Sequence, residues 1–168
     1  MRFFDLFAGI GGFRLGMERA GHECVGSCEI DKYCRETYKK HFGEYPKYRD
    51  VKSINPKELP DFDILCAGFP CQPFSYSGTR NGFNDTRGTL FFEITKIARE
   101  KQPLYLFLEN VRGLLSNNKG RTFRTILTEL DELGYDVEWN LYNSTNFTPQ
   151  ERERVIIIGH LRQKNNEV

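Results

Sequence analysis

The chain has no run of apolar residues approaching the length of a membrane span. It also has no basic-then-apolar stretch at its N-terminus. A membrane helix and a secretory leader are therefore not expected, and the chain reads as cytoplasmic, where thiols stay reduced. Its five cysteines (Cys24, Cys28, Cys34, Cys66, Cys71) contain no C-x2-C pair, and His22, His41 and His160 are scattered, so no metal site is expected. Charge of one sign is lacking too: 24 Lys+Arg against 23 Asp+Glu leave a net charge of +1. Nucleic-acid binding by bulk charge is thereby excluded, but a locally basic groove is not. There is no internal repeat and no low-complexity segment. What remains is ordinary globular composition, 39% hydrophobic and 28% charged over 168 residues, enough for one domain with a real core.

Strand and helix signals alternate along the chain, as in an α/β protein with a mostly parallel sheet covered by helices on both faces. Arg2–Phe7 reads as a buried strand running into Gly9-Ile10-Gly11-Gly12, followed by a helix to Ala20 with Gly21 as its stop. Cys24–Cys28 is a second strand. Asp31 caps a helix through Phe42, with Cys34, Tyr38 and Phe42 on one face. Tyr48–Val51 is expected as a short edge strand, the third of seven, and Asp63–Ala67 as the fourth. Leu90–Glu100 has a helical apolar face, ended by Pro103 before the strand Leu104–Glu109. A helix over Arg121–Leu133 and the strands Asp136–Tyr142 and Arg154–Gly159 complete the domain, 1–161; residues 162–168 form a polar tail. Gly68–Thr89 is the one long connection. Loops of that length are disordered or functional.

Four segments carry chemistry. In Asp5–Gly12, glycines directly after the first strand let the backbone turn sharply and approach a ligand, with a helix N-terminus facing it. Glu29, twenty residues past Gly9 at the end of the second strand, sits where an acidic side chain can hold ribose hydroxyls. A glycine turn with a surface glutamate is the bland alternative. The G-x-G-G spacing does not favour a nicotinamide dinucleotide. In Gly68–Ser75, Cys71 lies just beyond a strand's carboxyl end, the edge where open α/β sheets bind ligands, with prolines on both sides. Cys66, within the strand, reads instead as a buried core thiol. Glu109-Asn110 ends the next strand, and partial desolvation there would favour a proton donor at neutral pH; capping of the following turn is its ordinary role. In Gln150–Arg154, strand alternation puts Arg152 and Arg154 on one face, either in a cleft or in a solvated charge run.

In order and spacing, Asp5–Gly12, Gly68–Ser75, Glu109-Asn110-Val111 and Gln150–Arg154 resemble the motifs of the cytosine-C5 DNA methyltransferases, over nearly the whole chain. The resemblance implies a Rossmann-like S-adenosylmethionine-dependent fold with Phe7, Gly9, Gly11, Pro70 and Leu90 at the cofactor. Glu29 would bind its ribose, Asp50 its adenine amino group, and Val51 and Ile30 its ring. Relatives often place tryptophan where Ile30 stands. Cys71 would add to cytosine C6, Glu109 hold N3 and the exocyclic amine, Arg154 contact O2, and Arg152 steady the loop or a phosphate. The family works on double-stranded DNA and flips the target base out; Ser75, Ser77 and Arg87, in a loop like the family's mobile one, would contact DNA.

Family members usually continue into a target-recognition domain and a returning C-terminal segment, and neither is found here. The expectation is one half of a split or truncated enzyme, with a second chain carrying recognition and an apolar face left open near the first glycine turn. The alternatives are a non-catalytic cofactor- or DNA-binding relic, and a member of the branch that methylates tRNA.

Overall fold

In a computed structural model, residues 1–70 and 90–162 are described. Six strands form one sheet: β1 (Arg2–Leu6), β2 (Glu23–Cys28), β3 (Ile64–Gly68), β4 (Tyr105–Val111), β5 (Tyr135–Asn143) and β6 (Glu153–Leu161). Their order is β2-β1-β3-β4-β6-β5. The first four are parallel, and β6 runs antiparallel to both its neighbours. Four helices accompany them: α1 (Gly12–Arg19), α2 (Lys32–Phe42), α3 (Leu90–Lys101) and α4 (Arg121–Glu132). None is long and apolar enough to cross a membrane.

The central strands are apolar on both sides because both sides are covered. In β1, consecutive residues Phe3 and Phe4 are fully buried in different clusters. Phe4, Leu6, Leu65, Leu106, Leu108 and Ile157 meet the buried stripes of α3 and α4. On the other face Phe3, Ile64 and Cys66 pack with Met17 and Phe13 of α1. At roughly 1.5–3 kcal/mol for each large side chain enclosed, this double-sided burial is the main force holding the sheet. Local signals set the element ends: Asp31 accepts from the Cys34 amide at 2.8 Å to start α2, and Gly43, at φ 78°, ends it.

The expected edge strand over Tyr48–Val51 does not form. Tyr48 makes a single bridge to Cys28. Asp50 then accepts from the Lys52 amide and turns residues Val51–Ser53 into a 3-10 turn, so pairing stops after one residue and, among the described residues, the sheet has six strands rather than the expected seven.

The second face is only partly covered. Phe107 of β4 and Ile158 of β6 are register partners, as are Glu109 and Ile156. Tyr105, Phe107, Ile156 and Ile158 remain half-buried, although Phe13 of α1 meets the Phe107 ring edge-on at a centroid distance of 4.9 Å.

Candidate active site

In the strand order, β1 is flanked by β2 on one side and β3 on the other, so the chain leaves their carboxyl ends in opposite directions. The crevice this opens is where ligands sit in such sheets.

The cofactor side is built by backbone. Phe7, Gly9 and Gly11 all take left-handed conformations, at φ 57°, 55° and 95°, which folds the chain back over the end of β1. Gly11 also precedes α1 without any side-chain cap, so the first-turn amides of that helix stay open to an acceptor. Glu29 is buried at the end of β2. Its Oε2 accepts from the Gly9 amide and its Oε1 from the Asp31 amide, both at 2.7 Å. Each oxygen keeps a second lone pair, which a ribose hydroxyl can use. Arg35 ties this corner together by donating to the carbonyls of Glu29 and Tyr48 at 2.9 Å. Asp50 uses Oδ1 on the Lys52 amide, and its Oδ2 has no partner among the described residues. Val51 beside it is buried, whereas Ile30 is 62% exposed. A hydroxyl-binding carboxylate, a free acceptor, two apolar surfaces and open amides fit an adenosine carrying an amino-acid tail. Pro70 and Leu90 border the stretch 71–89.

The reacting side lies across β3. Gly68 and Glu109 are register partners at the ends of β3 and β4, and a side chain at Gly68 would stand 3.3 Å from Glu109 Oε2. The Nε of Arg154 meets Glu109 Oε1 at 2.7 Å, and Arg152 Nη2 approaches it at 4.0 Å. Both arginines therefore face Glu109, rather than solvent alone, because β6 enters antiparallel beside β4 and sets Arg154 opposite Val111. Glu109 is one-quarter exposed, so its desolvation is only partial. Asn110 donates to the carbonyl of Phe69 at 2.9 Å, tying the strand that bears Glu109 to the backbone leading into Pro70. Cys71, Ser75, Ser77 and Arg87 lie outside the described residues. Cys66 is fully buried, and burial pushes its thiol far up, as a core cysteine requires.

Four residues at this end of the sheet were not singled out by their sequence. Asp5 pairs in register with Ser27 and Cys66 and is completely enclosed, with neither oxygen accepting a hydrogen bond. Burial pushes it up to about 8; the Arg14 amide that faces it opposes the shift, and the charge of Glu29 adds to it. Arg14, His41 and Phe42 surround the glycine turn. Phe42 belongs to the apolar face recognised in α2, but no local signal shows that this face meets the turn.

The profile of the C-5 cytosine-specific DNA methylases matches residues 1–168. The chain belongs to that family. Among curated proteins, it is 54% identical to the type II methyltransferase M.HgiCI of Herpetosiphon aurantiacus over 166 residues, covering 95% of this chain and 39% of the relative. It is 50% identical to M.HhaI of Haemophilus parahaemolyticus over 159 residues, covering 94% and 48%. A putative prophage-encoded DNA modification methyltransferase from E. coli has a TM-score of 0.77 at 26% identity, covering 96% of this chain and 47% of that structure. The chain thus spans less than half the length of these methyltransferases. Membership of the family makes S-adenosylmethionine the methyl donor, in keeping with the carboxylate of Glu29 beside the glycine turn.

Proposed function

We propose that this chain is the cofactor-binding and catalytic half of an enzyme that methylates C5 of cytosine in DNA. The observation that carries the reading is the Glu109–Arg154 pair, beside the strand that leads to Pro70-Cys71. A carboxylate next to a guanidinium offers an acceptor and a donor side by side. Cytosine presents the complementary edge: an exocyclic amine to donate, N3, and O2 to accept. Glu109, protonated when the base is bound, would donate to N3 through one oxygen and accept from the amine through the other; Arg154 would donate to O2, and Arg152 would steady the adjoining loop or a phosphate.

Cytosine C5 is a poor nucleophile until something adds at C6. The Cys71 thiolate is the group for this: its sulfur bonds to C6, the C5–C6 π electrons shift into the ring, and Glu109 passes its proton to N3, leaving a neutral enamine that is nucleophilic at C5. S-adenosylmethionine, when bound, supplies an electrophilic methyl group on a sulfonium. C5 would take the methyl with loss of the demethylated thioether, water would remove the C5 proton, and the Cys71 sulfur would leave as thiolate as the C5–C6 double bond reforms, with N3 returning its proton to Glu109. Phe7, Gly9, Gly11, Glu29, Ile30, Asp50, Val51, Pro70 and Leu90 would line the cofactor. Ser75, Ser77 and Arg87 would contact DNA around the flipped base.

Choice of target would come from protein beyond these 168 residues, in the first instance a second chain working beside this one in the cytoplasm. The half-buried Ile156 and Ile158 of β6 support this, because adjoining apolar residues left at a surface often mark a protein interface.

The test is tritium transfer from labelled S-adenosylmethionine to cytosine-containing DNA, to tRNA, or with neither present. Feeble or no transfer by the chain alone is expected, rising on DNA when a recognition half is supplied as a second polypeptide. Labelling of tRNA but not DNA would overturn the substrate. Strong, sequence-specific DNA methylation by the 168 residues alone would overturn the division of labour.

A further inference from the structure

The glycine turn is held from two directions, and only one of them is Glu29. On the opposite side stands the C-terminal end of α2. Gly11 lacks a side chain, and the space is taken: a Cβ there would lie 2.1 Å from Phe42 Cε2, 2.7 Å from its Cζ, and 3.2 Å from Tyr38 Cδ2. The Phe42 ring therefore rests directly on the backbone of the turn. One residue earlier, His41 Nδ1 lies 3.0 Å from the Ile10 carbonyl and donates to it.

Phe42 is itself fixed. Its ring centroid is 4.6 Å from that of Tyr38, and the Arg14 guanidinium lies 4.4 Å above it. Arg14 is pinned by the Tyr38 hydroxyl at 3.0 Å, by Glu44 at 2.7 Å and by Glu18 at 2.8 Å. A guanidinium stacked on an aromatic ring and bonded on several sides has little freedom left. Arg14 belongs to α1, which starts directly after the glycine turn, so the same contacts that hold Phe42 also fix α1 against α2.

We infer that the C-terminal end of α2 sets the shape of the cofactor turn, with Phe42 and His41 as positioning residues for S-adenosylmethionine. This rests on the reading of the turn as the cofactor site. Three left-handed residues within five positions are not a conformation that a chain keeps unaided. Open amides bind well only when their directions are fixed beforehand. Glu29 fixes Gly9; Phe42 and His41 fix Ile10 and Gly11.

Calorimetric titration of the 168-residue chain with S-adenosylmethionine tests this, with thermal melts alongside. Phe42→Ala is expected to weaken binding about tenfold or more at a temperature where the variant is folded, while Phe42→Leu, which keeps most of the volume, stays near the unmodified value. His41→Ala removes one exposed hydrogen bond and is expected to weaken binding about fivefold with little change in melting temperature. Ile126→Ala, a core truncation in α4, is the control: it should melt early and bind normally. If Phe42→Ala behaves as Ile126→Ala does, the inference is overturned and the cofactor site stands. If Phe42→Ala does not fold, His41→Ala decides, and unchanged affinity there overturns the inference. Failure of the unmodified chain to bind would overturn the site itself and this inference with it.

Discussion

A Cys71→Ser enzyme, assayed with its recognition half, is expected to lose methyl transfer by four or more orders of magnitude while binding S-adenosylmethionine as before. Loss of a covalent nucleophile has effects of that size elsewhere. The reason lies in what C6 demands. An aromatic ring carbon is attacked by a soft, polarisable anion, and the same atom must later depart. A thiol with an ordinary pKa near 8.5 supplies a working fraction of thiolate at neutral pH. A serine hydroxyl, without an adjacent base, supplies almost no anion. The check is tritium transfer together with trapping on 5-fluorocytosine DNA, where fluorine at C5 blocks the final elimination. Retained covalent trapping by Cys71→Ser would show that another group attacks. Cys66 is the internal comparison: enclosed in the sheet, with its thiol pushed far up by burial, it should be replaceable by alanine without loss of trapping in whatever fraction folds.

The second large effect concerns stability. Asp5→Asn is expected to gain stability over the unmodified chain as pH rises from 5 to 8. Asp5 titrates at about 8 in the fold and near 3.8 when unfolded. Between those values the folded state holds a proton that the unfolded state has released, so raising the pH favours unfolding, and the contribution is fully lost above the folded value. Asparagine has no such proton, and whatever fixed cost its amide brings does not vary over this range. The difference between the two chains should therefore grow with pH, by on the order of 3 kcal/mol from pH 5 to 8. For a domain of this size that is roughly 6–12 °C in melting temperature. Melts of both chains at the two pH values measure it. A constant difference would mean that Asp5 is already ionised in the fold, with Arg14 rather than enclosure setting its state.

The sequence showed most of this architecture because its local and global signals agree. Asp31 and Gly43 bracket α2 just where its apolar stripe begins and ends, and Phe3-Phe4 could belong only to a strand covered on both sides. Tyr48–Val51 misled because its composition suits a strand, whereas the competing Asp50–Lys52 turn depends on a single side chain. Glu29, Glu109, Arg152 and Arg154 were legible because their place at strand ends follows from alternation and the usual strand order. Asp5 was not: a carboxylate inside a strand reads as part of a glycine motif, and only the registers of β2 and β3 show it sealed between Ser27 and Cys66. Phe42 was hidden for a related reason. Its partner is the missing side chain of a glycine thirty-one residues earlier, which periodicity cannot show.

The order of the last strands has a consequence for how the protein comes into being. β5 touches the sheet only through β6, and β6 is made after it. β5 finds its strand partner only as β6 is made, starting with Glu153 opposite Asn143 beside the link closed by the Ser144 amide on the Arg152 carbonyl, so the two pair with each other before or as they dock on β4. Arg152 and Arg154 arrive with that hairpin. A growing chain could thus shape the glycine turn and its Glu29 contacts from β1, β2 and α2 well before it has Arg152 or Arg154 to set beside Glu109. In the finished protein the same hairpin is the sheet's outer margin, and margins are where strands let go first. Each time it loosens, the Glu109–Arg154 pair would be lost while the turn held by Glu29 stays intact.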